Sequence, residues 1–178
     1  MSAALLVIDV QQALCFGEEA AFESERLIER VNHLSEQARR SGIPVVMVQH
    51  EEEEGPLARG GEGWALARGL VVEESDILVG KAASDAFHCT GLHEELARRG
   101  VNRVVICGLQ SDFCIDSTTR RALGLGYEVT LVSDAHSTCG SGLLSAAQIS
   151  AHHTATLGNI GGYSHTVEVE HTERVSFE

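Results

Sequence analysis

Three residues spread along this chain, Asp9, Lys81 and Cys114, could together form a nucleophile set. Cys114 falls at the start of a predicted helix. A thiol there feels the positive end of the helix dipole and unpaired backbone N–H groups, which favour the attacking thiolate. A lysine ammonium nearby would favour it further. A carboxylate such as Asp9 can take the thiol proton and return it to a leaving nitrogen. Each residue alone has a plainer reading. Most cysteines are small core residues, a strand-end aspartate often caps a loop, and Lys81 would pass as a surface lysine.

These positions follow from where elements end. Four short, nearly continuous apolar runs stand out: Ala4–Ile8, Pro44–Val48, Arg103–Cys107 and Glu128–Val132. Such runs read as strands buried on both faces. Asp76–Val79 is a weaker fifth, and Thr166–Val169 reads as an edge strand. Helical patterns lie between them. In 25–40, Leu27, Val31, Leu34 and Ala38 recur at helical steps and Gly42 follows as a stop. Thr90 is placed to cap a helix over 91–99, and 113–125 is helical until Gly126. Ser145 and Gln148 form a capping box for a helix reaching Leu157. Alternating strands and helices predict one α/β domain over 1–178. Its layers are helix, sheet and helix, with a Rossmann-like, mostly parallel sheet. Residues 159–178 form a tail and edge strand.

In such a sheet, ligands bind beyond the carboxyl ends of the strands, where the strand order reverses. That rule selects Asp9, His50, Lys81, Gln110 to Cys114, and Asp134 with His136. Cys107 reads as core, while Cys15, Cys89 and Cys139 sit in turn-like or loop contexts without convergent partners. The long irregular stretch from His50 to Gly63 could line or cover a site. Its Glu51–Glu54 run reads as a solvated face.

Composition narrows the partners. Net charge is −13, and 43% of residues are hydrophobic. That balance argues against nucleic acid and anionic membrane surfaces, which call for basic patches. No stretch approaches the roughly 20 apolar residues of a membrane span. The five cysteines show neither a CxxC pair nor a zinc-ribbon pattern. The N-terminus lacks a basic segment, and its apolar run breaks at Asp9. The expectation is a cytoplasmic protein with free thiols and a small-molecule substrate.

The segments LLVIDVQ (5–11), GKAASDAF (80–87), GLQSDFCIDST (108–118) and ALGLGYEVTLVSDA (122–135) resemble, in order and spacing, the motifs of the isochorismatase-like cysteine hydrolases. That family includes nicotinamidases, N-carbamoylsarcosine amidohydrolases and streptothricin-hydrolase-like enzymes. The resemblance covers roughly residues 4 to 157. It implies that Asp9 is the acid/base, Lys81 the lysine partner and Cys114 the nucleophile, cutting an amide, lactam or carbamoyl C–N bond through a thioester. It also implies a homo-oligomer, a dimer or tetramer, with the tail and the Trp64 loop as candidate contacts.

A cis peptide bond is expected between Leu109 and Gln110. The chain must turn sharply there, and proteins resembling this one carry such a bond four residues before their nucleophile. Backbone N–H groups of Gln110 and Cys114 would then form an oxyanion hole. Two alternatives remain on the same fold: vinyl-ether hydrolysis, which does not need the cysteine, and a non-catalytic binding or redox-sensing protein.

The chain departs from the family where nicotinamidases place a metal-binding Asp-x-His pair. Here the text reads QHEEEEGPLARGGEGW (49–64), so neither a metal nor any other cofactor is expected. His50 and Glu52 would be the stand-in ligands. Phe16, Trp64, Phe87 and His136 lie in segments expected to border the pocket.

Overall fold

A computed structural model describes residues 2–17 and 19–177; Met1, Glu18 and Glu178 lie outside them. The strands are β1 (Ala3–Ile8), β2 (Val45–His50), β3 (Ile77–Lys81), β4 (Arg103–Leu109), β5 (Glu128–Ser137) and β6 (Val167–Glu170). They form one sheet in the order β3-β2-β1-β4-β5-β6, and every neighbouring pair is parallel. The helices are α1 (Gln12–Cys15), α2 (Ser24–Arg40), α3 (Leu92–Arg98), α4 (Asp116–Gly124) and α5 (Ala146–Gly158).

Alternation along the strands divides the core. Leu6, Ile8, Val46 and Val48 face Leu92 and Leu96 of α3, Ala122 and Leu123 of α4, and Leu157 of α5. Leu5, Val7, Val45 and Met47 face Leu27, Ile28, Val31 and Leu34 of α2. Both faces of β1 are therefore dry, which is why its sequence is apolar without alternation. Each large side chain buried in this way contributes roughly 1.5–3 kcal/mol.

Helix ends follow the sequence signals in part. Ser145 Oγ accepts from Gln148 N while the Gln148 side chain accepts from Ser145 N, closing the capping box of α5. Thr90 Oγ accepts from Leu92 N at 3.3 Å, although the cap position of α3 is Gly91. The expected helix over 113–125 is two pieces. Residues Ser111–Ile115 make a wide π turn, with Ile115 N donating to Gln110 O at 3.1 Å, before α4 begins.

The tail packs on its own chain. Its strand, β6, pairs with β5. Val175 and Phe177 are buried in the α2 layer, and Thr172 donates to Asp134 from both its backbone N and its hydroxyl. The loop holding Trp64 is likewise tied down. Gln12 N donates to Ala65 O, Ala13 N to Gly63 O, and Ala67 N to Val10 O.

β5 runs to Ser137, well past the expected Val132. The register between β4 and β5 shifts between Ile106 and Gly108, and His136 pairs with Gly108. At Gly108 φ is +119°, and a Cβ there would meet Ile8 O at 2.1 Å. Only glycine fits that contact. Gly108→Ala should therefore cost at least about 2 kcal/mol, through backbone strain and displacement of β4 from β1. Urea unfolding checks this, and wild-type stability in the variant would contradict the close approach.

Candidate active site

The chain runs through β1, β2 and β3 on one side of the sheet, then crosses to β4 beside β1. The order reverses between β1 and β4, and a crevice opens at their carboxyl ends. Asp9 is the first residue beyond β1. It adopts a left-handed conformation, φ 50°, and is 1% exposed. Its N–H donates to Val48 O, which ties the β1 end to β2. Its Oδ2 accepts from Lys81 Nζ at 2.7 Å, while Oδ1 is buried without a partner. Burial raises the Asp9 pKa, and the Lys81 ammonium opposes that rise.

Lys81 ends β3 with its side chain fully buried. Its Nζ lies 3.3 Å from both Cys114 Sγ and His50 Nδ1. A ring nitrogen of His50, a carboxylate oxygen of Asp9 and Cys114 Sγ lie within 4.8 Å of one another, a spacing that could bracket a metal ion. The Lys81 ammonium touches all three, so a cation already stands at their centre. Glu52 lies on the far side of His50, 4.0 Å from Nε2.

Gln11 was passed over in the sequence, and it frames the site. It is fully buried. Its amide donates to His50 O and Trp64 O and accepts from His50 N. Gln49 also donates to Trp64 O. One side chain thus joins β1, β2 and the following loop. The available signal was a polar residue beside a buried strand end, where a partner is obligatory.

Cys114 sits in the π turn and is half-buried. The expected bias toward thiolate is not met. Burial pushes the thiol up to about 12, the Asp9 carboxylate adds to this, and the Lys81 ammonium only partly opposes it. The resting form is a thiol with an Asp9 carboxylate oxygen within 4.8 Å of its sulfur. The Leu109–Gln110 peptide bond is cis.

A cavity of about 250 Å³ opens above these groups, lined by Asp9, His50, Gln110 and Cys114 together with Leu14, Glu52, Leu57, Ser84 and Phe113. None of the four expected pocket residues is among them. Phe16 lies under the Arg68 guanidinium, 4.1 Å away, and packs on the α2 layer. Trp64 reaches the site region only through its backbone carbonyl. Phe87 is core, stacked on Tyr127. His136 is buried because β5 extends past it. Leu14, Leu57, Ser84 and Phe113 were missed, being common residue types in turns. Cys15 is buried core rather than a loop residue, and Cys139 does have a partner, Gln110 Nε2 at 3.4 Å.

His136 supports the site from behind. Its Nδ1 meets Ser111 Oγ at 2.7 Å and its Nε2 meets Thr154 Oγ1 at 2.9 Å. Ser111 Oγ also meets Ser150 Oγ. The start of the π turn is thereby pinned to β5 and α5. Burial lowers the His136 pKa to about 4, and nearby His153 adds to the effect.

A family model described as the Isochorismatase domain matches residues 3–159. The chain is 38% identical over 136 residues to a streptothricin hydrolase from Streptomyces noursei, across 76% of this chain and 49% of that protein. It spans about half the length of the streptothricin hydrolases it matches. A crystal structure of an isochorismatase from Pseudomonas putida KT2440 superposes with a TM-score of 0.88 at 28% identity, covering 98% of this chain and 90% of that one. The N-carbamoylsarcosine amidase from Thermoplasma acidophilum gives a TM-score of 0.82 at 25% identity, covering 99% of both chains.

The site makes two stability predictions. Lys81→Met strands a buried carboxylate and should cost about 3–5 kcal/mol. Adding Asp9→Asn removes that charge, so the double variant should be more stable than Lys81→Met alone in urea. A double variant less stable than Lys81→Met would show that the pair is not held by charge. For His136, the native ring stays neutral while the unfolded ring takes up a proton. Its contribution is present above pH 6.5 and is lost as pH falls toward about 4. Over that window the wild type should lose about 3 kcal/mol more than His136→Gln. Parallel losses in the two proteins would place His136 elsewhere.

Proposed function

The chain belongs to the isochorismatase family, and from that premise we propose that it is a cysteine hydrolase that cleaves an amide, lactam or carbamoyl C–N bond of a small molecule. One observation supports the reading: the Asp9 carboxylate, with Oδ2 held by Lys81, has an oxygen within 4.8 Å of the Cys114 sulfur.

The steps balance with these groups alone. The Cys114 sulfur attacks the substrate carbonyl carbon as its proton passes to Asp9, giving a tetrahedral oxyanion. Backbone N–H groups of Gln110 and Cys114 receive that oxygen. Asp9 then gives its proton to the leaving nitrogen, the C–N bond breaks, and a thioester remains. Asp9 next takes a proton from water as the water attacks the thioester. The C–S bond breaks and the thiolate recovers the proton, leaving a carboxylic acid and an amine or ammonia. Burial raises the proton affinity of both Asp9 and Cys114, so the proton passes between them as the bond to carbon forms, without charging the dry site beforehand.

The cavity of about 250 Å³ directly over Cys114 suits the amide end of a small molecule. A reducing compartment, the cytoplasm, suits a nucleophile that must stay reduced, and the five cysteines are all free. Self-association into a dimer or tetramer belongs to the same reading. Leu143, which is 94% exposed, and Leu78 on the open edge of β3 are apolar surfaces that a second copy would cover.

Asp9→Asn should lower kcat/KM by on the order of 10² or more. Cys114→Ser should abolish amine release while the fold persists. The double variant should lose little beyond either change alone. The acid limb of the kcat/KM profile should lie above the ordinary carboxylate range, since activity needs ionised Asp9 and its pKa is raised. Activity should disappear as pH falls through that limb. Ammonia or amine release across an amide and lactam panel measures all of this. Turnover that survives Cys114→Ser would refute the assignment.

A further inference from the structure

The cavity over Cys114 does not end at its mouth. A second hollow of about 640 Å³ shares Leu14, Glu52, Leu57 and Gln110 with it and is lined also by Glu19. Among the described residues no lysine or arginine lines either space. The nearest fixed cation, Lys81, is fully buried and committed to Asp9. The acidic groups lining the two spaces are Glu19 in the second, Glu52 in both and Asp9 in the first. Asp9 is 1% exposed, and its Oδ1 has no partner.

Glu52 differs from the glutamates around it. Its backbone is pinned, with N donating to Leu57 O and O accepting from Arg59 N. Its carboxylate accepts no hydrogen bond among the described residues, and its one ionisable neighbour is His50 Nε2 at 4.0 Å. The preceding residue, Glu51, is instead paired with Arg59. The run that reads as a uniform solvated face thus holds one acid matched by an arginine and one left bare on the wall of the cavity. The apolar stretch between Glu52 and Cys114 is supplied by Leu14, Leu57 and Phe113.

We propose that the substrate carries a cationic group, an ammonium on a short aliphatic arm, beyond its scissile carbonyl, and that Glu52 selects it. This rests on the hydrolase reading above. The Glu52 carboxylate borders both spaces with no lysine or arginine lining them among the described residues, so an ammonium there gains a partner and an anionic group meets repulsion. The overall charge of −13 draws cations toward the same mouth.

Three matched amides test it: 5-aminopentanamide, hexanamide and adipic acid monoamide, followed by ammonia release. At low ionic strength kcat/KM for the ammonium compound should exceed that of hexanamide by about fivefold, the scale of a part-exposed ion pair. The acid should be the poorest of the three. Added salt should shrink the preference. Glu52→Gln should bring the ratio near one, and Glu52→Lys should favour the acid. Equal values for all three in the wild type, or a preference unmoved by Glu52→Gln, would overturn the proposal. Should none release ammonia, calorimetric titration of the Cys114→Ser protein reads the same ratio as Kd. A Glu52-dependent ammonium preference there would keep this inference and remove C–N hydrolysis. Equal or absent binding would remove the inference.

Discussion

A lysine ammonium and an aspartate carboxylate lie together in a dry interior, 2.7 Å apart and screened from water. Neither charge is tolerable there alone. Asp9 ends β1 and Lys81 ends β3, with β2 between them, so the pair can form only if all three strands end at one level. Strand register is thereby tied to charge satisfaction. His50 at the end of β2 completes the row against the same ammonium.

The other half of the site depends on a different fit. β4 lies against β1 closely enough that Gly108 has no room for a side chain. At that level β5 carries extra residues against β4, and β4 runs on from Gly108 into the cis bond and the wide turn carrying Cys114. The Ser111–His136–Thr154 chain holds that turn from behind with neutral groups. Cys114 is thus positioned by packing and hydrogen bonds, while Asp9 is positioned by charge. The thiol sits between the two systems, and its high proton affinity comes first from burial and then from the Asp9 carboxylate, with the Lys81 ammonium opposing.

Much of this could be read from the sequence, for identifiable reasons. The buried parallel strands had to be apolar on both faces, so their runs marked them. The Ser145–Gln148 box and Gly126 are local signals, and they held. Asp9, Lys81 and Cys114 could be selected because strand ends converge by topology. The pocket wall could not be found in that way. Leu14, Leu57, Ser84 and Phe113 reach it through loop paths that no periodicity records. The aromatic and histidine candidates were chosen by residue type, but Phe87 and His136 were needed by the core. The thiol's ionisation was misjudged because the helix-dipole argument ignored depth. Burial outweighs a partial charge at a helix end.

The placement of β1 bears on how the chain folds. The first strand of this sheet in chain order becomes a central one, flanked by β2 and by β4. Once residue 81 has emerged, β1, β2 and β3 can assemble and bring Asp9 and Lys81 together. The other edge of β1 must then wait for residues 103–109, exposing an apolar strand in the interval. Loop closure over that span comes before any contact rewards it, so docking of β4 is a slow, late event. Cys114 therefore joins a charge pair already in place, and the open flank of β1 is the point at which a nascent or partly unfolded chain is most prone to pair with a stray strand.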